Sequence, residues 1–255
     1  MIDWHVHSTF SDGQMAVEEL LDSALKLGIT SIAITDHWDP YDFSQENRTK
    51  TDAELFLHLE HIREEGRKRE LEVFAGIETA TGSDGKIRLS GKIIESCDII
   101  ITSPHYVAYD GPIVVGEYFN DEYWASYKSL VIAQAKNRGD ILGHPEGYLP
   151  ITPMLEAGTT YERRQQIRAS ISERYLDKPY YETLSDALLC SGKALELHGA
   201  SLTPREWVVE LLAKRGVLFS IGSDAHAVSL LGKNERAAIL VERYNLKLFV
   251  PHHAG

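Results

Sequence analysis

Cysteine is scarce in this chain, and the two that occur, Cys97 and Cys190, stand far apart and outside any CxxC pair. That excludes a disulfide framework and a thiolate metal site, and both thiols are expected to be reduced core residues. No apolar run approaches the roughly 20 residues that a membrane helix requires. The opening residues Met1-Ile2-Asp3-Trp4-His5 lack the basic and apolar regions of a cleavable signal. The expectation is a soluble, cytoplasmic protein with no membrane partner. Positive charge is also short, since 26 Lys and Arg face 38 Asp and Glu for a formal charge of −12. Stable binding to duplex nucleic acid needs many phosphates neutralised by Lys and Arg, so it is not expected. An anionic ligand would need a local source of positive charge, which bound divalent cations supply. Gly-x-Ser-x-Gly and P-loop patterns are missing, which removes support for a serine hydrolase or a nucleotide kinase. No low-complexity tract, fixed-period repeat or Pro/Gly/Ser linker marks a boundary, so residues 1–255 are read as a single domain.

What the chain does have is alternation. Short β-branched or apolar runs alternate with longer stretches of helical period, the pattern of βα units around a parallel sheet. The expected strands are Ile2 to His7, Ser31 to Thr35, Glu72 to Gly76, Ile99 to Ser103, Asp140 to Gly143, Ala194 to His198 and Leu218 to Ser220. Helices are expected at Val17 to Leu27 and Asp52 to Lys68, with Leu20, Leu21, Ala24 and Leu27 on one face of the first and Leu55, Leu59 and Ile62 of the second turned inward. Seven strands with intervening helices suggest a closed or partly closed α/β barrel. Residues 147–189 exceed a plain βα connection, and their tyrosines argue against disorder. They are expected to form extra helices over the barrel mouth.

Ligand-type residues fall at the carboxyl ends of these strands, where α/β barrels build their sites. His5 and His7 end the first strand; Asp36 and His37 follow the second, and Glu78 the third. His105 follows the fourth, His144 the fifth, and Asp224 and His226 the last. Residues two apart on a strand share a side, so His5 and His7 can chelate one ion, and Asp224-Ala225-His226 repeats the spacing. Six of the eleven histidines stand in such places, and burying so many ionisable groups without metals would be costly. His58, His61, His252 and His253 sit on a polar helix or at the chain end and are read as ordinary polar residues. Imidazole with carboxylate suits zinc, iron or manganese, without choosing among them. A water bridging two such ions becomes a hydroxide nucleophile near neutral pH, so no Ser or Cys nucleophile is required.

His5-Val6-His7, Ser11-Asp12-Gly13, Thr35-Asp36-His37, Gly76-Ile77-Glu78, Pro104-His105, Gly143-His144-Pro145 and Ser223-Asp224-Ala225-His226 together resemble the PHP (polymerase and histidinol phosphatase) family. The resemblance spans essentially the whole chain and implies a distorted TIM-like (β/α)7 barrel, a trinuclear site with up to three divalent ions (zinc, iron or manganese), and phosphoester hydrolysis. Carried over residue by residue, it implies a first metal on His5, His7, Glu78 and Asp224, and a second on Glu78, His105 and His144. A third would take Asp12, His37 and His226. Glu78, Asp224 and His226 are expected at the reacting centre. Asp12 could also be a turn residue or helix cap, and its match to the Ser-Asp-Gly pattern favours the ligand. Asp36 is expected to orient a ligand imidazole rather than to bind metal. Where many relatives end the sixth strand with an acid and Asn, this chain has Leu195-Glu196-Leu197-His198-Gly199. His198 is read either as a substrate-contacting or ligand-supporting residue, or as a satisfied interior histidine.

The expected substrate is a small phosphomonoester, histidinol phosphate or a nucleotide phosphate. Arg163 and Arg164 carry planar forks that match phosphate oxygens, with a solvated helix surface as the alternative. A phosphodiesterase or 3′-5′ exonuclease of the polymerase-associated type is the second reading, opposed by the acidic balance. A catalytically silent metal-binding interaction module is the third. Oligomeric state is not legible.

Overall fold

The strands are specified by apolar β-branched runs and the helices by caps and stripes. In the computed structural model, which describes residues 1–39 and 50–253, the elements alternate as β1 (Ile2–Asp3), α1 (Val17–Lys26), β2 (Ser31–His37), α2 (Asp52–Arg69), β3 (Glu72–Thr79) and α3 (Gly91–Ser96). They continue as β4 (Ile99–Thr102), α4 (Asp121–Lys136), β5 (Ile141–Leu142), α5 (Tyr161–Tyr175), α6 (Lys178–Ser191), β6 (Ala194–His198), α7 (Glu206–Arg215), β7 (Leu218–Gly222), α8 (Glu235–Tyr244) and β8 (Lys247–Leu248). Helix α2 starts in a capping box, with Thr51 accepting from the Glu54 amide while the Glu54 side chain reaches back. Helix α6 starts at the Asp177 cap and stops at Gly192, whose φ of 75° suits a residue without Cβ. No helix among the described residues is long and apolar enough to cross a membrane.

All eight strands are parallel and lie in chain order in one sheet. The chain from Trp4 to His7 also pairs with the segment leaving β7. Trp4 N donates to Ile221 O at 2.8 Å, Asp224 N to His5 O at 2.8 Å, and His7 N to Ala225 O at 3.0 Å. The first and seventh strands therefore meet at the mouth, as the expected barrel requires. The two-residue β8, which pairs with Leu218 and Phe219 at the start of β7, was not among the expected strands. It is too short to show a period. Strands β2 and β3 run further than expected, because their ladder continues through Asp36 opposite Ile77 and His37 opposite Glu78.

Parity then positions the site. Ala33, Phe74, Ile99, Ile101, Ile141 and Ala194 pack together as an apolar floor inside the barrel. Two and four residues further along the same strand faces come Thr35 and His37, Gly76 and Glu78, and Glu196 and His198. The interior thus changes from apolar to ionisable toward the mouth. Larger apolar clusters fill the layer between sheet and helices. Helix α6 packs on α4, while α5 is the added helix of residues 147–189 and reaches the mouth through Arg168, which lies 5.1 Å over the Tyr148 ring. Of the two cysteines expected in the core, Cys97 is only partly covered and Cys190, at the end of α6, is exposed.

Lys193 is buried behind the sheet, where its Nζ donates to Gln134 O at 2.7 Å, Thr102 Oγ1 at 2.9 Å and Arg138 O at 3.2 Å. It closes the carbonyl end of α4. Burial pushes its pKa from 10.5 down to about 7, against the pull of Asp140. Between these values the unfolded chain binds the proton and the folded chain does not, so this group makes the fold more stable as pH rises. In urea melts at pH 7.5 and 9.5, the change in stability with pH should be more positive in wild type than in Lys193→Met, by up to about 1.4 kcal/mol per pH unit. An equal pH slope in both proteins would contradict this account.

Candidate metal centre

His5 and His7 point to one side because they alternate with Val6 along the extended segment that follows β1, where Val6 bridges to Ala225. Their Nε2 atoms lie 3.0 Å apart. Asp224 Oδ1 is 3.0 Å from His7 Nε2 and 3.5 Å from His5 Nε2, and Glu78 Oε2 is 3.6 Å and 3.4 Å from the same atoms. The other Glu78 oxygen, Oε1, is 2.8 Å from His144 Nε2 and 3.2 Å from His105 Nε2. A third group gathers around Asp12 Oδ1, which is 3.2 Å from His226 Nε2, 3.6 Å from His37 Nε2 and 3.9 Å from His7 Nδ1. His37 Nδ1 returns to Glu78 Oε2 at 3.0 Å, linking this group to the others. All nine residues expected to hold metal are thus brought together. Their burial is graded: His5 and His7 are fully covered, whereas the Asp12 and His226 side chains are 43% and 30% exposed.

Two of these residues take backbone conformations that side chains disfavour, His144 at φ 25° and Asp224 at φ 53°. Such strain persists where the surroundings demand it, and here it turns the chain just past β5 and β7 so that both side chains face inward.

A second layer of partners holds the imidazoles. Glu196, on the same face of β6 as His198, receives His5 Nδ1 at 2.7 Å and the His144 amide at 2.7 Å, which leaves His5 Nε2 directed at the centre. Gly222 makes room for it, since a Cβ there would stand 2.3 Å from Glu196 Oε1 and 2.6 Å from His5 Cβ. Asp39 Oδ2 lies 3.3 Å from His105 Nδ1. His198, read as a substrate-contacting or ligand-supporting residue or a satisfied interior histidine, is fully buried with both ring nitrogens engaged, Nε2 with Asp224 Oδ2 at 3.0 Å and Nδ1 with Ser201 Oγ at 2.6 Å. It sits behind Asp224.

Asp36 corrects a second expectation: rather than bracing a ligand imidazole, it accepts from Ser8, Ser11 and His58. His58, read as an ordinary residue of a polar helix, is buried against it. His61 stays at the surface, 3.2 Å from Glu18. His252 is exposed, and His253 stacks on Phe74 with ring centroids 4.4 Å apart. Arg163 and Arg164 lie exposed on the first turn of α5, where Arg163 Nη1 donates to Gln166 Oε1 at 3.4 Å. One turn further, Arg168 is the arginine that reaches the mouth. It covers Tyr148, whose ring is edge-on to His144 at 5.2 Å and His198 at 5.1 Å. Its Nε is buried without a hydrogen-bond partner. Glu196, Asp39, His58 and Arg168 were missed as site residues, although the shared strand parity of Glu196 and His198 was a usable signal.

Burial works against every charge here, and the neighbours decide the outcome. It would lower His5, but Glu196, Glu78 and Asp224 raise its pKa well above the usual imidazole value. His105 is raised to about 10 by Glu78 and Asp39, and His226 to about 9 by Asp12 and Asp224, in each case against burial. Glu78 and Asp224 are held well below ordinary carboxylates by the surrounding imidazoles, again despite burial. Burial wins at His7, which falls to about 4 with His37 and His226 adding to the effect, and at His144, which is also lowered. The donors suit divalent cations. The sets His5/His7/Asp224, His5/Glu78/His144, His37/Glu78/His105 and His7/Asp12/His37/His226 each have ligand atoms within 4.8 Å of one another, and the buried Nδ1 atoms of His7 and His144 have no hydrogen-bond partner among the described residues.

The PHP domain family profile matches residues 3–244. PolX of Bacillus subtilis, a DNA polymerase/3′-5′ exonuclease, is 26% identical over 234 residues, which are 90% of this chain; the chain spans 35% of that relative's length. A "probable phosphatase" of Caldanaerobacter subterraneus subsp. tengcongensis is 25% identical over 256 residues, covering 96% of this chain and 84% of that protein. The crystal structure of histidinol phosphate phosphatase from Lactococcus lactis, complexed with zinc, L-histidinol and phosphate, aligns with a TM-score of 0.68 at 19% identity. It covers 99% of this chain and 97% of that one, and at this identity the likeness is one of fold.

Because His105 and His226 hold protons above pH 7, a cation that takes their lone pairs must displace those protons. Titrating metal-stripped protein with zinc at pH 7 should therefore release about two protons per chain or more, seen as buffer-dependent heats in calorimetry. Affinity should rise with pH through this range. Heats that do not change between buffers would refute the proton assignment.

Proposed function

Because the chain belongs to the PHP domain family, we propose that it is a metal-dependent phosphoesterase acting on a small phosphomonoester. The observation that carries this reading is Glu78, whose two oxygens face two separate sets of imidazoles from the centre of the mouth. Up to three divalent ions, zinc, iron or manganese, would supply Lewis acidity to phosphate oxygens and charge to offset the departing alkoxide. The chain's own residues do the rest. His5, His7, Glu78 and Asp224 would hold the innermost ion, Glu78 with His105 and His144 the next, and Asp12, His37 and His226 the outermost. Glu196 and His198 fix His5 and Asp224 from behind, so the donor geometry is set before substrate arrives.

Helix α5 forms one wall of the mouth in this reading, with residues 147–189 acting as a substrate-covering insertion. Arg168 is the best placed phosphate-facing cation, because it has no carboxylate partner among the described residues and rests on Tyr148 beside His144 and His198. Arg163 and Arg164, further out on the same helix, would assist in approach. Histidinol phosphate is the first substrate to test, given the fold shared with a histidinol phosphate phosphatase, followed by nucleotide phosphates. The likeness to PolX favours a second reading, a phosphodiesterase, against which the net charge of −12 stands.

Phosphate release should be measured from histidinol phosphate, nucleoside monophosphates, a nucleoside bisphosphate and a short oligonucleotide, with zinc, manganese or iron supplied. A phosphomonoester should be turned over at least about tenfold faster than the oligonucleotide, a gap of about 1.4 kcal/mol in barrier. The reverse order would install the phosphodiesterase reading, and no release from any substrate would end both. His7→Ala and Glu78→Ala should lose bound metal and nearly all turnover; normal turnover with metal retained would show the centre to be misassigned. Arg168→Met should raise KM roughly tenfold with kcat little changed, as expected for lost phosphate binding. Arg163→Ala and Arg164→Ala should have smaller effects.

A further inference from the structure

Asp36 is a buried carboxylate that accepts four hydrogen bonds, and all four come from outside the inner metal groups. Its Oδ1 receives the Ser8 amide and the Ser11 hydroxyl, each at 2.7 Å. Its Oδ2 receives the Ser8 hydroxyl and His58 Nε2, also at 2.7 Å each. His58 comes from α2, is buried, and lays its ring flat on Phe10 with centroids 3.9 Å apart and planes 4° apart. Phe10 and Ser11 immediately precede Asp12. The turn that carries them is closed by Ser8 O, which accepts from the Ser11 and Gly13 amides at 3.1 and 3.0 Å. Gln14 N then donates to His226 O at 2.8 Å, which joins the turn to another residue of the outermost group.

We propose that Asp36 and His58 form a positioning device that sets Asp12, and thereby governs the outermost cation site separately from the two inner ones. The proposal rests on the reading that these groups hold metal. Asp12 gains from such a device, since its side chain is 43% exposed and, among the described residues, its carboxylate faces the imidazoles of His226, His37 and His7, so its direction depends on the turn that carries it. The inner groups have different supports. Glu196 holds His5 and the His144 backbone, His198 holds Asp224, and Asp39 holds His105. Losing the Asp36 bonds frees the turn while leaving those supports in place. Asp36 and His58 are positioning residues in this scheme, acting through Asp12 and not on substrate.

The test is cation stoichiometry and affinity, read without turnover. Metal-stripped wild type, His58→Leu, His58→Gln and Ser11→Ala are reloaded with Mn²⁺, counted by elemental analysis and titrated against a chelator. Wild type should hold three ions. His58→Leu should keep two at wild-type affinity and bind the third about 10- to 100-fold more weakly, the loss expected when an outer hydrogen-bond partner of a ligand is removed. His58→Gln retains a donor toward Asp36 and should restore most of that affinity. Ser11→Ala, a milder change that keeps the α2 contact, should weaken the same ion and no other. Uniform weakening of all three ions, or unchanged binding of all three, in His58→Leu or Ser11→Ala would overturn the proposal. Wild type holding no ion would overturn the metal reading itself and the device with it, a result distinct from a device that fails while metal binds.

Discussion

One buried carboxylate organises this molecule. Glu78 is essentially inaccessible, yet five imidazoles, those of His5, His7, His37, His105 and His144, stand within 2.8 to 3.6 Å of its two oxygens. A lone carboxylate at that depth would be driven to take up a proton. Here the imidazoles reverse the effect and hold it ionised. Each imidazole comes from a different stretch of chain, apart from the pair on the first strand, so satisfying Glu78 requires the ends of five strands to converge. The barrel is the architecture that brings about this convergence.

Closure follows from the same demand. Asp224 belongs with His5 and His7, although more than two hundred residues separate them in the chain. The backbone bonds between Trp4–His7 and the chain leaving β7 bring them side by side. Asp3 reinforces the joint by accepting from the Ser223 amide at 2.8 Å and the Gly232 amide at 3.1 Å. Burial raises the pKa of Asp3 to about 6 in spite of those bonds. Below the joint the barrel is apolar, and above it ionisable, so the stabilising floor and the functional mouth are separated along the strand axis.

The supports of the mouth divide in two. Glu196 and His198 on β6 and Asp39 just past β2 brace the inner groups, where burial is deepest. The outer group depends on a turn tied to α2 through Asp36 and His58. Arg168 approaches from α5, a helix the barrel does not need for closure. The inner groups therefore inherit their geometry from the sheet, whereas the outer group is also tied to a helix, α2, through Asp36 and His58.

The sequence by itself determined the strand ends and what stands on them. The spacing His5-Val6-His7, the acid at Glu78 after an apolar run, and Asp224-Ala225-His226 near the far end are local patterns, and strand parity converts them directly into inward-facing side chains. Only the tertiary structure decided which residues stand behind those side chains. His58 sat in a helix whose composition reads as polar, and nothing near it in the chain announces Asp36 twenty-two residues earlier. The place of His198 behind Asp224, the coverage of Tyr148 by Arg168 in place of Arg163 or Arg164, the exposure of Cys190 and the short β8 were equally hidden. The physical reason is range. A repeat of two along a strand is written in neighbouring residues, whereas a hydrogen bond between a helix and a strand end depends on how the two pack, which no local pattern encodes.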